Sequence, residues 1–502
     1  MLRKIRIAAA VIFFTIITFL FLDFTGTLHH WFGWMAKIQF LPALLALNVG
    51  VIIALVLLTL LFGRIYCSVI CPLGVFQDTA SWIAGRWKKR RFSYSPALSY
   101  LRYGILAVFI IALVAGFSSF AALLAPYSAY GRIASNLFAP VYQWINNALA
   151  YFAERADSYA FYSVDVWMKG GFTFAVAIIT FVVLIILAVR NGRTYCNTIC
   201  PVGTVLGFLS RFSFFKPVIH TEKCISCGLC ARNCKASCIS IDPKKKEQKI
   251  DYSRCVTCFN CIETCKHGAI RYERRHKTVV PAGQPADNNT SGKVDNTRRS
   301  FLSVLTLFAA SSALKAQEKV DGGLAVIEDK KIPDRQTPIV PPGAKSIRNF
   351  TQHCTACQLC VSVCPNQVLR PSGKLSSLMQ PEMSYELGYC RPECTKCSEV
   401  CPAGAIHTIT TADKSATQIG HAVWIQKNCI VLTDDVNCGN CARHCPTQAI
   451  QMIPLNAEDP NSRLIPAVNT ERCIGCGACE NLCPARPFSA IYVEGHEMHR
   501  TV

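Results

Sequence analysis

Four stretches in the first 190 residues are almost wholly apolar: Ile7–Leu22, Leu41–Phe62, Leu101–Ala125 and Phe172–Val189. A helix needs about 17–25 such residues to cross a bilayer. The pattern therefore predicts four spans, the first near the lower limit. A single apolar stretch of this kind can be a buried core helix. Four in succession, with almost no charge inside them, predict an α-helical membrane bundle. Beyond residue 215 the pattern changes to short β-prone segments between polar loops.

Basic residues orient the bundle. Arg3, Lys4 and Arg6 precede the first stretch, Arg86, Lys88, Lys89, Arg90 and Arg91 follow the second, and Arg190 and Arg193 follow the fourth. The loops after the first and third stretches carry few Lys or Arg. The positive-inside rule then places both ends of the block in the cytoplasm and the loop Pro126–Gly170 outside, with Trp144 and Trp167 suited to the interface.

Cysteine dominates the composition, at 29 of 502 residues. Twenty-four of these form six four-cysteine runs. The first is Cys224, Cys227, Cys230 and Cys234, and the second Cys255, Cys258, Cys261 and Cys265. The third is Cys354, Cys357, Cys360 and Cys364, and the fourth Cys390, Cys394, Cys397 and Cys401. The fifth is Cys429, Cys438, Cys441 and Cys445, and the sixth Cys473, Cys476, Cys479 and Cys483. Four runs keep the spacing Cys-x2-Cys-x2-Cys-x3-Cys, in which four thiolates hold a [4Fe–4S] cluster and the fourth cysteine serves the neighbouring cluster. Zinc ribbons use isolated Cys-x2-Cys pairs, and disulfide frameworks belong to short secreted chains. Six [4Fe–4S] clusters are thus expected in three two-cluster folds. In the first two runs the crossover rule assigns Cys224, Cys227, Cys230 and Cys265 to one cluster. It assigns Cys255, Cys258, Cys261 and Cys234 to the other. Among the last four, adjacent pairing and pairing of the third run with the sixth both stand open.

Proline follows the fourth cysteine in the last four runs, as Pro365, Pro402, Pro446 and Pro484. Lys235 and Lys266 take that place in the first two. Positive charge there is expected to raise the cluster potentials modestly. Cys238 is an extra cysteine, read as a buried thiol or, second, as an alternative ligand.

The membrane block repeats internally. Gly63-Arg64-Ile65-Tyr66-Cys67 runs on to Cys71-Pro72-Leu73-Gly74, and Gly192-Arg193-Thr194-Tyr195-Cys196 to Cys200-Pro201-Val202-Gly203. Residues i and i+4 share a helix face, so each copy is expected to present two thiols together. Cys67, Cys71, Cys196 and Cys200 could form a seventh iron–sulfur centre near the inner surface, a packed group of reduced thiols, or a redox disulfide. Arg64 and Arg193 are expected to meet lipid headgroups.

The formal charge of +21 does not indicate nucleic acid. Six four-thiolate clusters would remove about twelve positive charges, and cytoplasmic loops account for much of the rest. The run Lys244–Lys249 reads as a solvated loop. Residues 277–297 form a polar linker. Thr297-Arg298-Arg299-Ser300-Phe301-Leu302 then leads an apolar run to Leu314, the pattern of a twin-arginine signal. A fifth anchor helix gives the same topology, whereas an amphipathic surface helix would leave the rest inside. Ser311-Ser312-Ala313 is a small-residue cleavage pattern, although the internal position favours retention.

The expected fold is multidomain: an α-helical membrane bundle of four spans plus a fifth signal or anchor helix, with α+β bacterial-type ferredoxin domains. The divisions are 1–215 membrane block, 216–276 cytoplasmic two-cluster domain, 277–297 linker, 298–316 twin-arginine segment, 317–347 extended lead-in, and 348–502 four-cluster domain outside. Ala405–Ile409 and Ala490–Val493 are expected as strands.

On these motifs residues 1–276 resemble the NapH family of membrane ferredoxins. Residues 297–498 resemble the NapG/MauM family through Arg298-Arg299, the four runs and Pro341-Pro342-Gly343-Ala344. The chain therefore looks like a NapH–NapG fusion in a bacterial inner membrane. The resemblance implies a quinol dehydrogenase component passing electrons from the membrane quinone pool to a periplasmic reductase, often of nitrate, or to a cytochrome c. No Gly-rich nucleotide loop supports NAD or flavin, and no nucleic-acid partner is expected. His29, His30, Trp34, Tyr127 and Arg132 are candidate quinone contacts, with interfacial anchoring the stronger reading of each. Two other functions stand open: a conduit fed by a cytoplasmic ferredoxin, and a NosR/CcoG-like role in metalloenzyme maturation. About 30 Å of hydrocarbon would separate the inner and outer clusters, so this scheme needs a mobile quinone, a haem partner or a tilted arrangement.

Overall fold

The computed structural model describes residues 1–501 apart from 24, 88–91, 93, 159, 167–168, 242–247, 275–327 and 460–461. The linker 277–297, the segment 298–316 with Arg298 and Arg299, and most of the run Lys244–Lys249 lie outside the described residues.

Among the described residues two helices are long and apolar enough to cross a membrane, Leu2–Leu22 and Gly171–Asn191, with 21 residues each. The other two expected spans are each broken. Leu41–Phe62 divides into Phe40–Leu45 and Val49–Phe62, and Leu101–Ala125 into Ser99–Val114 and Ser118–Leu124. The breaks have local causes. Leu47 takes a left-handed φ of 51°, and the Asn48 side chain then caps the next helix by accepting from Val51 N. Gly116, at φ 82°, turns the second break. The segment expected to form an outside loop is mainly helix instead. Pro126–Ile133 continues through a π turn, Ala134–Phe138, into Ala139–Arg155. The first of these helices is buried at every residue.

Residues 215–274 and 417–501 have one architecture. A strand precedes the first run, a hairpin separates the runs, and a closing strand pairs antiparallel with the opening one. In the first unit Phe215–Ile219 pairs with Ile270–Arg274 around the hairpin Ile239–Ile241/Gln248–Ile250. In the second, Thr417–Trp424 pairs with Ile491–Thr501 around Ile450–Pro454/Leu464–Val468. Between the third and fourth runs only the hairpin Leu369–Pro371/Pro381–Met383 forms. Ala405–Ile409 is not a strand. It lies against the lead-in through His407 N donating to Gly343 O at 3.0 Å. The described part of the lead-in packs on the four-run unit: Ile339 and Val340 are buried, and Arg335 Nε donates to Val493 O.

The two-run unit 215–274 and the four-run unit 347–501 meet opposite ends of Leu2–Leu22. At its start Arg3 pairs with Glu263 of the first unit. Just past its end Lys396 Nζ donates to Thr25 O at 3.1 Å. At 1.5 Å rise per residue the helix is about 31 Å long. The four-run unit docks chiefly on Ser118–Asn136. Ser118 Oγ donates to Thr351 O, Asn136 Nδ2 to Gln358 Oε1 at 2.9 Å, and Gln380 Nε2 to Ser118 Oγ at 3.1 Å. Small residues make this approach possible. A Cβ at Gly131 would stand 2.4 Å from the Cys357 carbonyl and 2.9 Å from the Phe21 ring.

Gly131→Val should loosen this seam by about 1–3 kcal/mol, the usual effect of overpacking. Amide hydrogen exchange across residues 347–362 is expected to accelerate. Unchanged exchange there would show that the contact does not depend on close approach.

Candidate iron–sulfur sites

The four strictly spaced runs share a backbone device. The residues flanking the second cysteine are left-handed in every case: Ser226 and Gly228, Thr257 and Phe259, Ala356 and Gln358, Gly475 and Gly477. Left-handed turns at these positions wrap the chain around a common centre and turn amides inward. In the first five runs, three residues after the fourth cysteine, another left-handed residue turns the chain back: Ser237, Gly268, Gln367, Gly404 and Gln448. Backbone amides reach the sulfurs, as in Ala356 N to Cys354 Sγ at 3.4 Å and Ala449 N to Cys445 Sγ at 3.2 Å.

The cysteines gather in crossed sets. Cys234 lies with Cys255, Cys258 and Cys261. Cys224, Cys227 and Cys230 lie together, and the crossover rule assigns Cys265 to them. In the four-run unit adjacent runs pair. Cys401 joins Cys354, Cys357 and Cys360, and Cys364 joins Cys390, Cys394 and Cys397. Cys483 closes a cavity with Cys429, Cys438 and Cys441, and Cys445 joins Cys473, Cys476 and Cys479. The long first gap of the fifth run is taken up by a helical turn, Ile430–Thr433. Cavities framed by Cys234, Cys255, Cys258 and Cys261, and by Cys364, Cys390, Cys394 and Cys397, leave room for a core in the same way. Among the described residues no three His, Cys, Asp or Glu side chains converge on a single metal ion. A cubane needs a different arrangement, with one cysteine on each of four irons. The crossed sets fit that requirement.

Cys238 belongs to the second of these sites. Its sulfur lies 3.3 Å from Cys234 Sγ, and its amide donates to the same atom at 3.4 Å. It also hydrogen bonds to Cys255. Spacing alone did not show this contact with two ligand-type sulfurs.

The motif cysteines of the membrane block also come together. Cys71 neighbours Cys67 and Cys196, and Cys200 neighbours all three. Contrary to the expectation from their spacing, the two cysteines of a pair do not share a helix. Ile65–Val69 ends before Cys71, and Pro72 starts a new helix. Cys200 stands in the same way before Pro201 and accepts from Gly203 N at 3.3 Å.

Arg64 and Arg193 do not face lipid; they are 0% and 1% exposed. They tie the repeats together reciprocally. Arg64 Nη2 donates to Cys196 O at 3.1 Å and lies 3.8 Å from Cys67 Sγ. Arg193 Nη1 donates to Cys67 O at 2.7 Å and lies 3.8 Å from Cys196 Sγ. The motif glycines make room for them. A Cβ at Gly74 would stand 2.6 Å from Arg193 Nη1, and one at Gly203 2.8 Å from Arg64 Nη2. The motif tyrosines anchor the broken helices: Tyr66 OH donates to Gln39 Oε1 at 3.0 Å, and Tyr195 OH to Leu124 O at 2.9 Å.

The same network docks the first ferredoxin unit. Arg64 Nη1 donates to Ser253 O at 3.0 Å. Asp78 receives Arg193 at 2.9 Å, Arg6 at 3.1 Å and Lys235 at 3.4 Å. Burial pushes the Asp78 carboxyl up, but Arg193, Lys235 and Arg6 override it and hold the group well below the usual carboxylate range. Lys235 lies near Cys258, and its place after the fourth cysteine also serves this docking.

On the other side Tyr127 lies between Tyr66 and the sulfurs of Cys357 and Cys401. Tyr127 and Arg132 are 2% and 1% exposed, which removes them from the lipid interface. Arg132 donates to Ala122 O and Leu123 O at the end of Ser118–Leu124. Trp34 is exposed, and His29 lies 3.4 Å from Asp23. Lys169 reaches toward Cys360 and Cys364, and burial pushes its amine down to about 8.

Comparison with known proteins follows this division. A family model described as "4Fe-4S binding domain" matches residues 44–91 and 173–219, the two motif repeats. One described as "4Fe-4S dicluster domain" matches 223–269, 353–405 and 436–486. The methylamine utilization ferredoxin-type protein MauM of Methylobacillus flagellatus is 32% identical over 170 residues, covering 32% of this chain and 70% of that protein. MauM of Methylophilus methylotrophus is 31% identical over 172 residues and covered to 72%. The ferredoxin-type protein NapG of Escherichia coli is 32% identical over 154 residues, 28% of this chain and 64% of that protein.

Two outcomes follow from the contacts. Cys238→Ala should lower the potential of the centre at Cys234, Cys255, Cys258 and Cys261 without loss of iron, because S–H donation to ligand sulfur favours the reduced cluster. An electron paramagnetic resonance redox titration reads this, and an unchanged potential counts against the bond. Asp78→Asn should destabilise the protein by about 3–5 kcal/mol, since it leaves buried cations unpaired. Thermal unfolding of the purified chain measures it, and a Tm within error of wild type would contradict the docking role.

Proposed function

The chain belongs to the MauM/NapG family of ferredoxin-type proteins, and from that premise we propose that it is a membrane-bound electron carrier. It oxidises quinol and delivers electrons to an acceptor outside the cytoplasm, a reductase or a c-type cytochrome. One observation carries the reading. The two-run and four-run units sit at opposite ends of Leu2–Leu22, whose length of about 31 Å matches the hydrocarbon core.

The outer faces of the helices suit lipid. Val11, Ile12 and Phe19 on the first helix, Ile53 and Leu57 on Val49–Phe62, Ile110 and Ile111 on Ser99–Val114, and Ile179 and Val183 on Gly171–Asn191 are all exposed. On a soluble protein such a belt would drive association. In this reading the broken helices Phe40–Leu45/Val49–Phe62 and Ser99–Val114/Ser118–Leu124 complete a four-pass bundle, with Leu47 and Phe117 at their breaks exposed. Residues 216–276 face the cytoplasm and 328–501 face outside, as the twin-arginine pattern at Arg298-Arg299 implies.

Bound [4Fe–4S] clusters supply one-electron transfer. The residues of this chain hold the six crossed cysteine sets, exclude water from them and fix their order. Cys390 N donates to Cys476 O at 2.9 Å, which joins the site at Cys390 to the one at Cys476. The sites at Cys258 and Cys357 face the membrane block from its two sides. Cys227, in contrast, is exposed at the far end of the first unit. That exposure favours a second reading of the donor, a reduced cytoplasmic ferredoxin meeting the chain at Cys224–Cys230.

Purified chain in lipid, mixed anaerobically with menaquinol or ubiquinol, should lose its cluster absorbance as the clusters are reduced. Reduction by a ferredoxin and not by either quinol would replace the first donor with the second. An epitope at the C-terminus should be cut by protease in intact spheroplasts. Protection until the membrane is opened would overturn the topology.

A further inference from the structure

Two family-model matches cover the membrane repeats, yet each repeat holds only two cysteines. We propose that Cys67, Cys71, Cys196 and Cys200 bind one iron–sulfur cluster shared between the repeats, and that this cluster joins the inner pair of sites to the outer four.

Charge carries the argument furthest. Arg64 is fully buried. Its partners are Asn197 Oδ1, Ser253 O, Cys196 O and Cys67 Sγ, and among the described residues no carboxylate pairs with it. Arg193, Arg6 and Lys235 share the single carboxylate of Asp78. Four cations thus face one carboxylate in a buried network; a cluster at Cys234, Cys255, Cys258 and Cys261, beside Arg64 and Lys235, supplies about −2 and still leaves about one positive charge in excess. A buried charge without a counter-charge costs several kcal/mol. Four thiols are neutral, and so are two disulfides; neither supplies the missing negative charge. Four thiolates on a [4Fe–4S] core leave a net charge of about −2, which does.

Hydrogen bonding points the same way. Arg64 Nη2 and Arg193 Nη1 aim at Cys67 and Cys196. Gln77 Nε2 donates to Cys196 Sγ at 3.3 Å, and Gly203 N to Cys200 Sγ. Such donors suit thiolate acceptors. Arg64 Nε and Arg193 Nη2 are also buried without a partner among the described residues, as expected where an anion rich in acceptors is to sit. Cys71 and Cys200 each precede the first turn of a helix, Pro72–Trp87 and Pro201–Leu209, where the backbone field favours thiolate.

Position assigns the role. Cys258 lies across Lys235 and Asp78 on one side. Tyr66 and Tyr127 lead to Cys357 and Cys401 on the other. An electron entering from the inner sites reduces this centre by one unit, and its departure to the outer sites restores it; no bond is made or broken. The outer domain's direct seat on the membrane block removes the need for a mobile carrier across the hydrocarbon.

Iron and acid-labile sulfide on the anaerobically purified full chain test the site first. Seven four-iron centres give about 28 irons per chain, six give about 24, and a binuclear seventh gives about 26. The double variant Cys67→Ser/Cys196→Ser should lose the seventh centre's iron and keep the other six signals. Iron of about 24 in the wild type, or an unchanged count in the double variant, overturns the proposal. Arg64→Gln needs no loss of cluster; it should lower the potential of the centre at Cys67 most and of the one at Cys255 less, and seven unshifted potentials would overturn the charge argument. Iron loss with no quinol reaction in either protein leaves this site standing and removes the quinol donor. Unchanged iron with quinol oxidation intact does the reverse.

Discussion

Two buried arginines hold this molecule together. Arg64 and Arg193 each reach across the pseudo-symmetry of the membrane block to a cysteine carbonyl of the other repeat. They thereby close two separate hairpins into one unit. Both also act outward, Arg64 on Ser253 of the first ferredoxin unit and Arg193 on Asp78, which in turn receives Lys235. Guanidinium suits this task because it is always charged and offers donors in several directions. Burial makes the arrangement all-or-none, since a guanidinium removed from water must find every partner or lose far more than one hydrogen bond.

The opposite seam is built on different physics. Tyr127, Tyr130, Phe21 and Phe14 pack as tilted and edge-on ring pairs, and the small residues Ser118, Ala122 and Gly131 let the four-run unit's backbone come close. The helix breaks at Leu47–Asn48 and Gly116 matter here. They leave the short helices Phe40–Leu45 and Ser118–Leu124, each with a buried face, and the four-run unit seats on the second of them. One seam is polar and charged, the other aromatic and small-residue, and the cysteine tetrad lies between them.

The chain's local chemistry was largely legible in its residues, and its long-range pairings were not. Strict cysteine spacing implied the loop that the left-handed residues at Ser226, Thr257, Ala356 and Gly475 then form. The internal repeat implied that the four motif cysteines meet. Adjacent pairing of the outer runs was hidden because each run offers a fourth cysteine in the same place, and only three-dimensional folding selects among them. Arg64 and Arg193 were read as lipid contacts because an arginine after an apolar stretch commonly is one. Their true partners, the carbonyls of Cys196 and Cys67, lie in the other repeat and carry no sequence mark. Lys235 was read through its neighbouring cysteine, whereas Asp78 is far away along the chain. Asn48 and Gly116 were visible as a cap and a turn residue, but hydropathy averaged over a window conceals both.

Joining the two units in one chain changes what their seam must do. Separate partners would need enough buried surface to offset the lost freedom of association. A tether replaces that loss with an effective concentration that reaches the millimolar range for short flexible linkers. The outer seam is consistent with that relief, because its hydrogen bonds run through single side chains such as Asn136, Gln358 and Gln380 rather than a charged cluster. The inner unit follows Gly171–Asn191 and its motif directly, and there the ion network of Asp78 holds it in one orientation. Rigid attachment is worth most where order matters, and the order of the cysteine sets is what both seams preserve.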